Sequence, residues 1–497
     1  MALSGVSVTF SGARALDHVD FTLSEGEHVV VQGRNGSGKS TLLRVIHGEI
    51  WPDQRDGGGV CWFTPEGPED FPLIGMRMSA LVSTALLENY QSKGWRITGE
   101  TLLLTGFSDS LLLYAEPSSE ELQTVHALAG QFAITHLLDK EVPTLSHGQL
   151  RLLLLARACA RNPAIFLLDE VTDGLDSRAR RMVNEQLERL AASSTLLAVA
   201  HRPDTLPGCM LRSARMEQGK IIACSPWSAV STEKRGATPL PEKPAADDAG
   251  CGLPLIDIVN ANVFVDSVQV LHGINWQIRQ GEQWLVVGCN GSGKSTLLRL
   301  IAGLENAAAG GHIERRLPGQ GEGVIVELER MRRGIGLISE KDQSVYRYNL
   351  TGEELVLTGF ERSVGLFHEP EQEHRDAARA WMERLEIVHL AARRMRSLST
   401  GQLRRLFLAR ALAGNPDIVL LDEPCSGLDA ESGKRFLSLV NDLALSGVHF
   451  VLVTHHANDM FPALTHIARL DHGRMVLRQP LATNSPISFE DLHGDLA

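Results

Sequence analysis

Two stretches of the chain carry glycine, lysine and serine at the spacing of a phosphate-binding loop. They are Gly-Arg-Asn-Gly-Ser-Gly-Lys-Ser-Thr at residues 33–41 and Gly-Cys-Asn-Gly-Ser-Gly-Lys-Ser-Thr at residues 288–296. Glycines allow backbone N–H groups to close around phosphate oxygens, the lysine reaches the outer phosphates, and the serine hydroxyl can ligate magnesium. A glycine-rich turn without a ligand is the alternative interpretation of a single match. Two copies predict that the chain binds a nucleoside triphosphate twice, through Gly33, Asn35, Gly36, Ser37, Gly38, Lys39, Ser40, Thr41, Gly288, Asn290, Gly291, Ser292, Gly293, Lys294, Ser295 and Thr296.

An aspartate–glutamate pair follows a run of apolar residues in each half of the sequence, at residues 169–170 and 422–423. A carboxylate at the C-terminal end of a buried parallel strand lies at the sheet edge where ligands bind. We therefore expect the aspartate to hold magnesium and the glutamate to accept a proton from an attacking water. A paired-acid strand end without function is the alternative, and the nearby phosphate loops weigh against it. The predicted magnesium ligands are Ser40, Asp169, Ser295 and Asp422, and the predicted bases are Glu170 and Glu423.

A third recurring pattern, Leu-Ser-x-Gly-Gln, precedes a strongly apolar helical segment in each half. Serine followed three residues later by glutamine is a capping box at a helix start. The same geometry places a hydroxyl and a backbone N–H at a helix N-terminus, where an anion such as a γ-phosphate binds. Taken alone, the pattern favours the capping box. The residues concerned are Ser146, Gly148 and Gln149, then Ser399, Gly401 and Gln402.

The elements around these motifs predict an α/β fold. Apolar runs at residues 28–31 and 284–287 indicate a buried strand before each phosphate loop, and residues 42–46 and 297–301 indicate helices after it. Residues 165–170 and 195–200 predict two further buried strands, and strands alternating with helices indicate a mainly parallel sheet covered on both faces. Residues 79–138 have helical spacing, which predicts a helical subdomain. Residues 50–69 are rich in Gly, Pro and acids, and we expect a surface connection there.

The second half of the sequence repeats the first. Lys294 follows Lys39 by 255 positions, Asp422 follows Asp169 by 253, and His455 follows His201 by 254. A register that drifts by only two residues indicates a tandem duplication of one domain. Residues from 225 to 254 change to a Pro/Ala-rich composition typical of a linker. We predict domains at 1–224 and 255–497, joined by the linker at 225–254.

Composition limits the class of protein. The chain has 497 residues, 43% of them apolar, and a formal net charge of −12. The negative charge argues against a large basic footprint for nucleic acid. None of the seven cysteines lies in a CxxC pair, so zinc and iron–sulfur frameworks are not expected and a reducing compartment is. No apolar run reaches the ~20 residues of a membrane span, and no signal peptide is recognised, so we expect a cytoplasmic chain.

The order of the motifs resembles the ATP-binding-cassette (ABC) ATPases in both halves: phosphate loop, Leu-Ser-x-Gly-Gln, Leu-Leu-Asp-Glu, Gly-Leu-Asp, then a strand ending in histidine. The resemblance implies that ATP and Mg²⁺ are bound. It also implies that His201 and His455 contact the γ-phosphate, and that Asp176 and Asp429 lie in a loop that communicates between sites. In this family two cassettes sandwich ATP head to tail. The phosphate loop of one half would then face Ser399 or Ser146 of the other, in a monomeric chain.

Several positions depart from the family pattern. The first glycine of the signature is His147 in one half and Thr400 in the other, and Val171 stands where proline usually follows the glutamate. The glutamine usual between phosphate loop and signature is not clear; Glu66 and Glu340 occupy plausible positions, with Gln343 nearby. The adenine-stacking aromatic would be Phe10 in the first half, while Phe264 in the second is one place out of register.

The resemblance leaves two functions open. Residues 357–367 and 453–459 are similar to a subgroup of tandem cassettes associated with molybdate transport. This predicts an ATPase that energises a separate membrane permease, located in the cytoplasm or on the cytoplasmic face of the inner membrane. The alternative is a regulatory or repair-associated ABC ATPase without a membrane partner.

Overall fold

The computed structural model describes residues 1–10, 12–200, 205–227, 254–339, 349–454, 456 and 459–481. The chain forms two compact units, Met1–Glu233 and Lys234–Ala497. The predicted linker at 225–254 overlaps the last two residues of a strand that ends at Pro226 and the first residue of a strand that begins at Pro254. Residues 228–253 of it are outside the described ranges.

The first unit contains ten strands and seven α-helices among its described residues. The strands are β1 Ala2–Phe10, β2 Ala13–Thr22, β3 Val29–Gly33, β4 Gly59–Thr64, β5 Gly67–Glu69, β6 Ser79–Val82, β7 Ile165–Asp169, β8 Thr195–Val199, β9 Arg212–Glu217 and β10 Lys220–Pro226. The helices are α1 Lys39–His47, α2 Pro72–Met78, α3 Thr84–Ser92, α4 Gly99–Ser108, α5 Ser119–Gln131, α6 His147–Cys159 and α7 Ser177–Ala191.

These strands form two sheets. The larger has the order β10-β9-β3-β8-β7-β6. Its strands are parallel from β9 to β6, and β10 alone pairs antiparallel at the edge. The smaller sheet is antiparallel, in the order β2-β1-β4-β5.

The second unit repeats this topology. Its strands are β11 Pro254–Val265, β12 Val268–Arg279, β13 Trp284–Val287, β14 His312–Arg315, β15 Ile335–Ile338, β16 Ile418–Asp422, β17 His449–Val453, β18 His466–Asp471 and β19 Arg474–Pro480. Its described helices are α8 Lys294–Ile301, α9 Leu328–Gly334, α10 Gly352–Glu361, α11 Gln372–Arg384, α12 Thr400–Leu412 and α13 Ala430–Leu445. The large sheet runs β19-β18-β13-β17-β16-β15 and the small one β12-β11-β14.

The central strand of each large sheet contributes to two cores, one on each face. Val30 of β3 packs with the helices α4 to α6, whereas Val29 and Val31 pack with α1 and the small sheet. Leu285 and Val286 of β13 divide in the same way. Successive side chains of a strand point to opposite faces, so these uniformly apolar strands are buried on both sides. The predicted α/β architecture, with a parallel sheet covered on both faces and a helical subdomain, is confirmed.

Two local predictions are wrong. Residues 50–69 are not a surface connection, because they contain β4 and β5 and bury Trp62 completely, with its indole N–H donating to the Ile46 carbonyl at 3.2 Å. The turn-forming residues flank these short strands and dominate the local composition. The helical stretch predicted from residue 79 begins instead with a strand, β6, which pairs with β7. Along the described ranges, no helix has the length and apolar character that crossing a bilayer requires.

Candidate functional site

Each phosphate loop connects the central strand of a large sheet to the next helix. The loop at residues 33–41 joins β3 to α1, and the loop at 288–296 joins β13 to α8. A Cβ atom on Gly33 would lie 2.3 Å from the Met216 carbonyl oxygen, and one on Gly288 would lie 2.2 Å from that of Leu470. The neighbouring strand therefore leaves room only for glycine at the first loop position.

The two loop lysines are buried and have the same conformation. Nζ of Lys39 donates to the carbonyl oxygens of the first two residues of its loop, at 2.9 and 3.0 Å. Nζ of Lys294 does the same at 2.8 and 2.9 Å. Both lysines also begin the helix that follows the loop. The ammonium group and the positive end of the helix dipole thus lie together, as an anion site requires.

The loop serines differ in exposure. Ser37 and Ser292 are buried, and their hydroxyl oxygens have no hydrogen-bond partner in the described structure. A buried hydroxyl without a partner costs free energy, so a ligand oxygen would complete each loop. Ser40 and Ser295, one residue after the lysine, are exposed. They could offer their hydroxyls to a metal.

Asp169 is the last residue of β7 and lies beside Ser40. Its Oδ1 atom is buried and has no hydrogen-bond partner among the residues that the structure describes. Burial and the neighbouring charge of Glu170 raise the pKa of Asp169, while a hydrogen bond with Ser40 and the charges of Lys39 and Arg44 oppose that rise. A carboxylate oxygen without a partner and a neighbouring serine hydroxyl are oxygen ligands of the kind that Mg²⁺ binds. Asp422 ends β16 in the same position of the second unit.

The predicted bases follow these aspartates in a strained backbone conformation. Glu170 and Glu423 have φ of 56° and 47°, in a backbone region that residues other than glycine rarely occupy. Their backbone N–H groups donate to the last residues of the adjacent strands, Val199 and Val453, at 3.0 and 2.9 Å. The sheet therefore fixes each glutamate directly after its aspartate.

Two buried arginines that we did not predict hold the loops after these glutamates. Arg151 of α6 donates to the carbonyl oxygens of Glu170 at 2.7 Å and Asp173 at 3.3 Å. Arg404 of α12 donates to that of Ser426 at 3.2 Å. Both follow the signature as Gly-Gln-Leu-Arg and are 253 positions apart, so the repeat could have identified them.

Both signature serines form capping boxes. Ser146 accepts from the Gln149 N–H at 3.3 Å, and the Gln149 side chain accepts from the Ser146 N–H at 3.0 Å. Ser399 and Gln402 repeat both bonds at the same distances. The capping-box interpretation is therefore correct for both signatures. Both serines are also exposed at a helix N-terminus. Gly148 is buried where a Cβ would lie 2.7 Å from that of Ala179, and the Cβ of Gly401 would lie 3.2 Å from that of Ser432.

The aspartates of the Gly-Leu-Asp motifs are N-caps of the next helices. Asp176 accepts from the Ala179 N–H at 2.8 Å at the start of α7. Asp429 accepts from the backbone N–H and the hydroxyl of Ser432, at 2.9 and 3.0 Å. Each is buried. Each aspartate therefore caps a helix of its own unit, and its role in communication between the sites stays a prediction.

Some of the predicted residues cannot be placed. His201, His455, Glu340 and Gln343 lie outside the described residues. Glu66 lies in the turn between β4 and β5 of the small sheet, so its prediction is wrong. The register of β6 and β15 instead places Thr84 at the position of Glu340, two residues after the strand. Thr84 Oγ1 is 3.5 Å from the carbonyl oxygen of Asp169.

The strand pairing in the two hairpins shows how the positions of the two candidate adenine-stacking residues differ. Phe10 pairs with Ala13 at the end of the β1–β2 hairpin. In the second unit Val265 pairs with Val268 at that position, and Phe264 precedes it. Phe264 therefore points to the opposite face of its hairpin, as its shifted register indicates. The two phenylalanines are 47% and 50% exposed.

Comparison with known proteins agrees with this geometry. The family model described as ABC transporter matches residues 16–173 and 271–426. The chain is 30% identical over 481 residues to the ABC transporter ATP-binding protein ModF of Escherichia coli, covering 92% of this chain and 94% of that protein. It is 26% identical over 488 residues to an uncharacterized ABC transporter ATP-binding protein of Schizosaccharomyces pombe, covering 95% and 98%.

Among solved structures, the fold is similar to that of the archaeal ribosome recycling factor aABCE1, crystallised with the ribosomal stalk protein aP1. The TM-score is 0.61 at 19% identity, over 96% of this chain and 90% of that one. At this identity the likeness concerns the fold alone. The family matches in both halves and the similarity to ModF over nearly the whole length show that the chain belongs to the ABC transporter family, as a tandem ABC ATPase.

Proposed function

We propose that both cassettes bind Mg·ATP and hydrolyse it to energise a separate membrane permease, with molybdate or a related oxyanion as the cargo. The observation that carries the ATP site is the duplicated set of a loop lysine, a loop serine and a strand-end aspartate. The permease and its cargo are supported by the similarity to ModF and to the molybdate-associated subgroup.

In each site the loop lysine and the backbone N–H groups of the loop bind the outer phosphates. Lys39 and Lys294 are already held over their loops by two carbonyl oxygens each, so little side-chain entropy is lost when phosphate binds. The resemblance adds the two signature serines, His201 and His455 as further γ-phosphate contacts.

Ser40 with Asp169, and Ser295 with Asp422, hold the magnesium ion. The unpartnered Oδ1 of Asp169 supports this assignment. Magnesium bound there with ATP neutralises charge on the phosphates. Ser40 and Asp169 would hold the ion beside the loop, and its positive charge would offset the penalty that burial imposes on the ionised Asp169.

Glu170 and Glu423 orient the attacking water and take its proton on a side-chain oxygen. The strained backbone and the N–H bond to the neighbouring strand fix the start of each side chain. Arg151 of α6 donates to the Glu170 carbonyl and so holds the backbone of the same residue.

The test of hydrolysis is the double variant Glu170→Gln, Glu423→Gln. We expect ATP binding to persist while turnover falls at least about 100-fold, the scale of a lost general base. Glu66→Gln is the matched control, because Glu66 lies in the turn of the small sheet. Near-normal turnover in the double variant would remove both glutamates from the mechanism.

The permease is tested by co-purification of the ATP-trapped double variant from gently solubilised native cells. A multi-span membrane protein in stoichiometric amount is expected. ATPase stimulated by molybdate in a complex reconstituted from that membrane protein and the natural chain, with sulfate as control, would support the cargo. A cytosolic partner, or no partner in either nucleotide state, would favour the regulatory or repair-associated ATPase.

A further inference from the structure

Glu170 and Glu423 keep a backbone conformation that their surroundings must support. Their φ angles of 56° and 47° lie in a region that a residue other than glycine holds only when neighbouring groups fix it. The adjacent strands fix the N–H side, where the carbonyl oxygens of Val199 and Val453 accept at 3.0 and 2.9 Å. A second support is therefore expected on the carbonyl side of each glutamate.

Arg151 of α6 supplies this support in the first unit. Its Nη1 donates to the Glu170 carbonyl at 2.7 Å, and its Nη2 donates to the Asp173 carbonyl at 3.3 Å. The backbone N–H of Asp173 also donates to the Glu170 carbonyl, at 3.2 Å, so the guanidinium holds both ends of one turn. Hydrogen bonds from a charged donor are stronger than neutral ones, and Arg151 is only 6% exposed. Rotation of the Glu170 backbone would break these bonds.

The second unit has the same arrangement around Arg404 of α12. Its Nη2 donates to the Ser426 carbonyl at 3.2 Å, and the Ser426 N–H donates to the Glu423 carbonyl at 3.1 Å. Arg404 and Ser426 each lie 253 positions after their counterparts in the first unit, and Arg404 is 1% exposed. A buried guanidinium thus holds the turn after the glutamate in both units.

Packing alone does not account for an arginine at this position. Burial lowers the pKa of Arg151. The charges of Asp173, Glu170 and Asp169 oppose this shift and so favour the cation. An apolar side chain of similar volume often replaces a buried charge without loss of stability. The hydrogen bonds to the turn are what an apolar side chain would not provide.

Through α6, Arg151 also connects Glu170 with the signature. The helix begins directly after Ser146. Its Gly148 packs so closely on the start of α7 that a Cβ there would lie 2.7 Å from that of Ala179. The first turns of α6 therefore contact the chain from residue 170 to residue 179 at both of its ends. A displacement of these turns would move Glu170 as well.

We propose that Arg151 and Arg404 are positioning residues for ATP hydrolysis. Each holds the turn after the general base of its own unit, so that the glutamate side chain stays directed at the attacking water and follows the signature helix. The inference rests on the proposed function, since it takes Glu170 and Glu423 as the bases. Because the arginines act through these glutamates and not on the nucleotide, their loss should lower kcat and leave the KM for ATP unchanged.

The test is the steady-state ATPase activity of Arg151→Gln with Arg404→Gln in the full chain, at a temperature well below its Tm. We expect kcat to fall about 10- to 100-fold, the scale of a displaced catalytic group, with the KM for ATP within about 2-fold of the natural value. The matched control is Arg157→Gln with Arg410→Gln. These arginines are buried in the same two helices but donate to carbonyl oxygens of the loops that follow α4 and α10. The control should lose stability but keep kcat within about 2-fold.

Chemical rescue separates position from stability. In Arg151→Ala with Arg404→Ala, guanidinium chloride far below denaturing concentrations should raise kcat, because the free ion can donate to the same carbonyl oxygens. Sodium chloride of equal ionic strength is the control for salt, and Arg157→Ala with Arg410→Ala should show no rise in kcat.

A third pair of variants serves where the neutral ones do not fold. Arg151→Lys with Arg404→Lys keeps the buried charge. A single ammonium group cannot reproduce the planar fork of a guanidinium, so kcat should fall here too, by less than with glutamine and without a change in KM.

The proposal is overturned if the folded glutamine or lysine variants keep their kcat, if the control pair loses kcat equally, if only KM changes, or if guanidinium does not raise kcat selectively in the Arg151 and Arg404 alanine pair. Glu170→Gln with Glu423→Gln is measured in parallel. Turnover that falls in the glutamate variant but persists in the arginine variants would contradict the positioning role alone. Turnover that persists in the glutamate variant would instead contradict the proposed bases.

Discussion

The backbone N–H of Leu196 donates a hydrogen bond to Nδ1 of His28 over 3.2 Å. This nitrogen can accept only when the imidazole is neutral. In the second unit Gln283 stands at the equivalent position and accepts from the Phe450 N–H at 2.7 Å through its amide oxygen. The two units thus join the same strands with one titratable acceptor and one that does not titrate.

The first prediction concerns acid stability. Burial lowers the pKa of His28 below its usual value of 6.5, and a backbone hydrogen bond with Ala191 offsets part of this. As the pH falls below about 6.5, the unfolded chain binds this proton before the folded one, so stability is lost with acidification. We expect His28→Gln to remove this loss.

The measurement is Tm of the first transition between pH 7.5 and pH 5. The Tm of the variant should fall less over this range than that of the natural protein. Each kcal/mol of difference in stability corresponds to about 2–4 °C in Tm. His136→Gln, at an exposed histidine of the first unit, is the control and should follow the natural protein. Parallel curves for His28→Gln and the natural protein would contradict the assignment of His28.

The second prediction concerns Asp109, where four side chains meet. Arg157 and Arg161 donate to its carboxylate at 3.2 and 3.0 Å, and His47 lies 3.4 Å from it. Burial favours the neutral acid, but the His47 hydrogen bond and the two arginine charges together hold the pKa of Asp109 well below its usual range. A lowered pKa stabilises the fold above the unfolded pKa of 3.8, and that contribution is lost as the pH falls below it.

Asp109→Asn should therefore lower the free energy of unfolding by about 1–3 kcal/mol at pH 7, since Arg157 would remain buried without its carboxylate. Urea unfolding monitored by circular dichroism measures it. Glu329→Gln removes an exposed helix pair with Arg333 and should change stability by less than about 0.5 kcal/mol. Equal effects of both variants would show that Asp109 contributes no more to the free energy of unfolding than an exposed ion pair does.

The fold could be predicted from the sequence because its strongest signals coincide. The apolar runs at β3, β7 and β8 are buried on both faces, so each continuous run could be recognised as a buried strand. The duplication also supplies each motif twice. The short strands β4 and β5 could not be predicted, because a strand of three to six residues among Gly and Pro has too few side chains to reveal its alternation.

The site was predictable where the chemistry is local to the sequence. Loop lysine, serine and strand-end acid follow from motif and strand position. Glu66 was misplaced because sequence distance from the phosphate loop carries no information about which sheet a residue joins. Thr84 became visible only through the pairing of β6 with β7, a contact between residues more than eighty positions apart.

The third prediction compares the two signature glycines. A Cβ on Gly148 would lie 2.7 Å from the Ala179 Cβ at the start of α7, closer than carbon atoms can approach, whereas that of Gly401 would lie 3.2 Å from Ser432. Gly148→Ala should lower stability by about 1–3 kcal/mol, and Gly401→Ala by less. Gly130 of α5 has open space around its Cβ position, so Gly130→Ala should raise stability by about 0.5–1 kcal/mol. Thermal unfolding of the three variants gives the order, and a reversed order of the first two would contradict the packing argument.

The fourth prediction separates the two consequences of the buried Asp169. Because burial and Glu170 raise its pKa, ionised Asp169 costs stability in the protein without nucleotide, and this cost grows as the pH rises through the raised value. Asp169→Asn should raise Tm in the absence of ligand at pH 7.5 and abolish the further increase that Mg·ATP produces at the first site.

Thermal shift with ATP plus EDTA and with ATP plus MgCl₂ distinguishes these effects. Asp53→Asn, at a carboxylate that accepts from the Thr9 hydroxyl in the small-sheet region, controls for a change of net charge. If Asp169→Asn kept the full Mg²⁺-dependent shift, Asp169 would not be a metal ligand, and its orphaned oxygen would have to be explained by the protein alone.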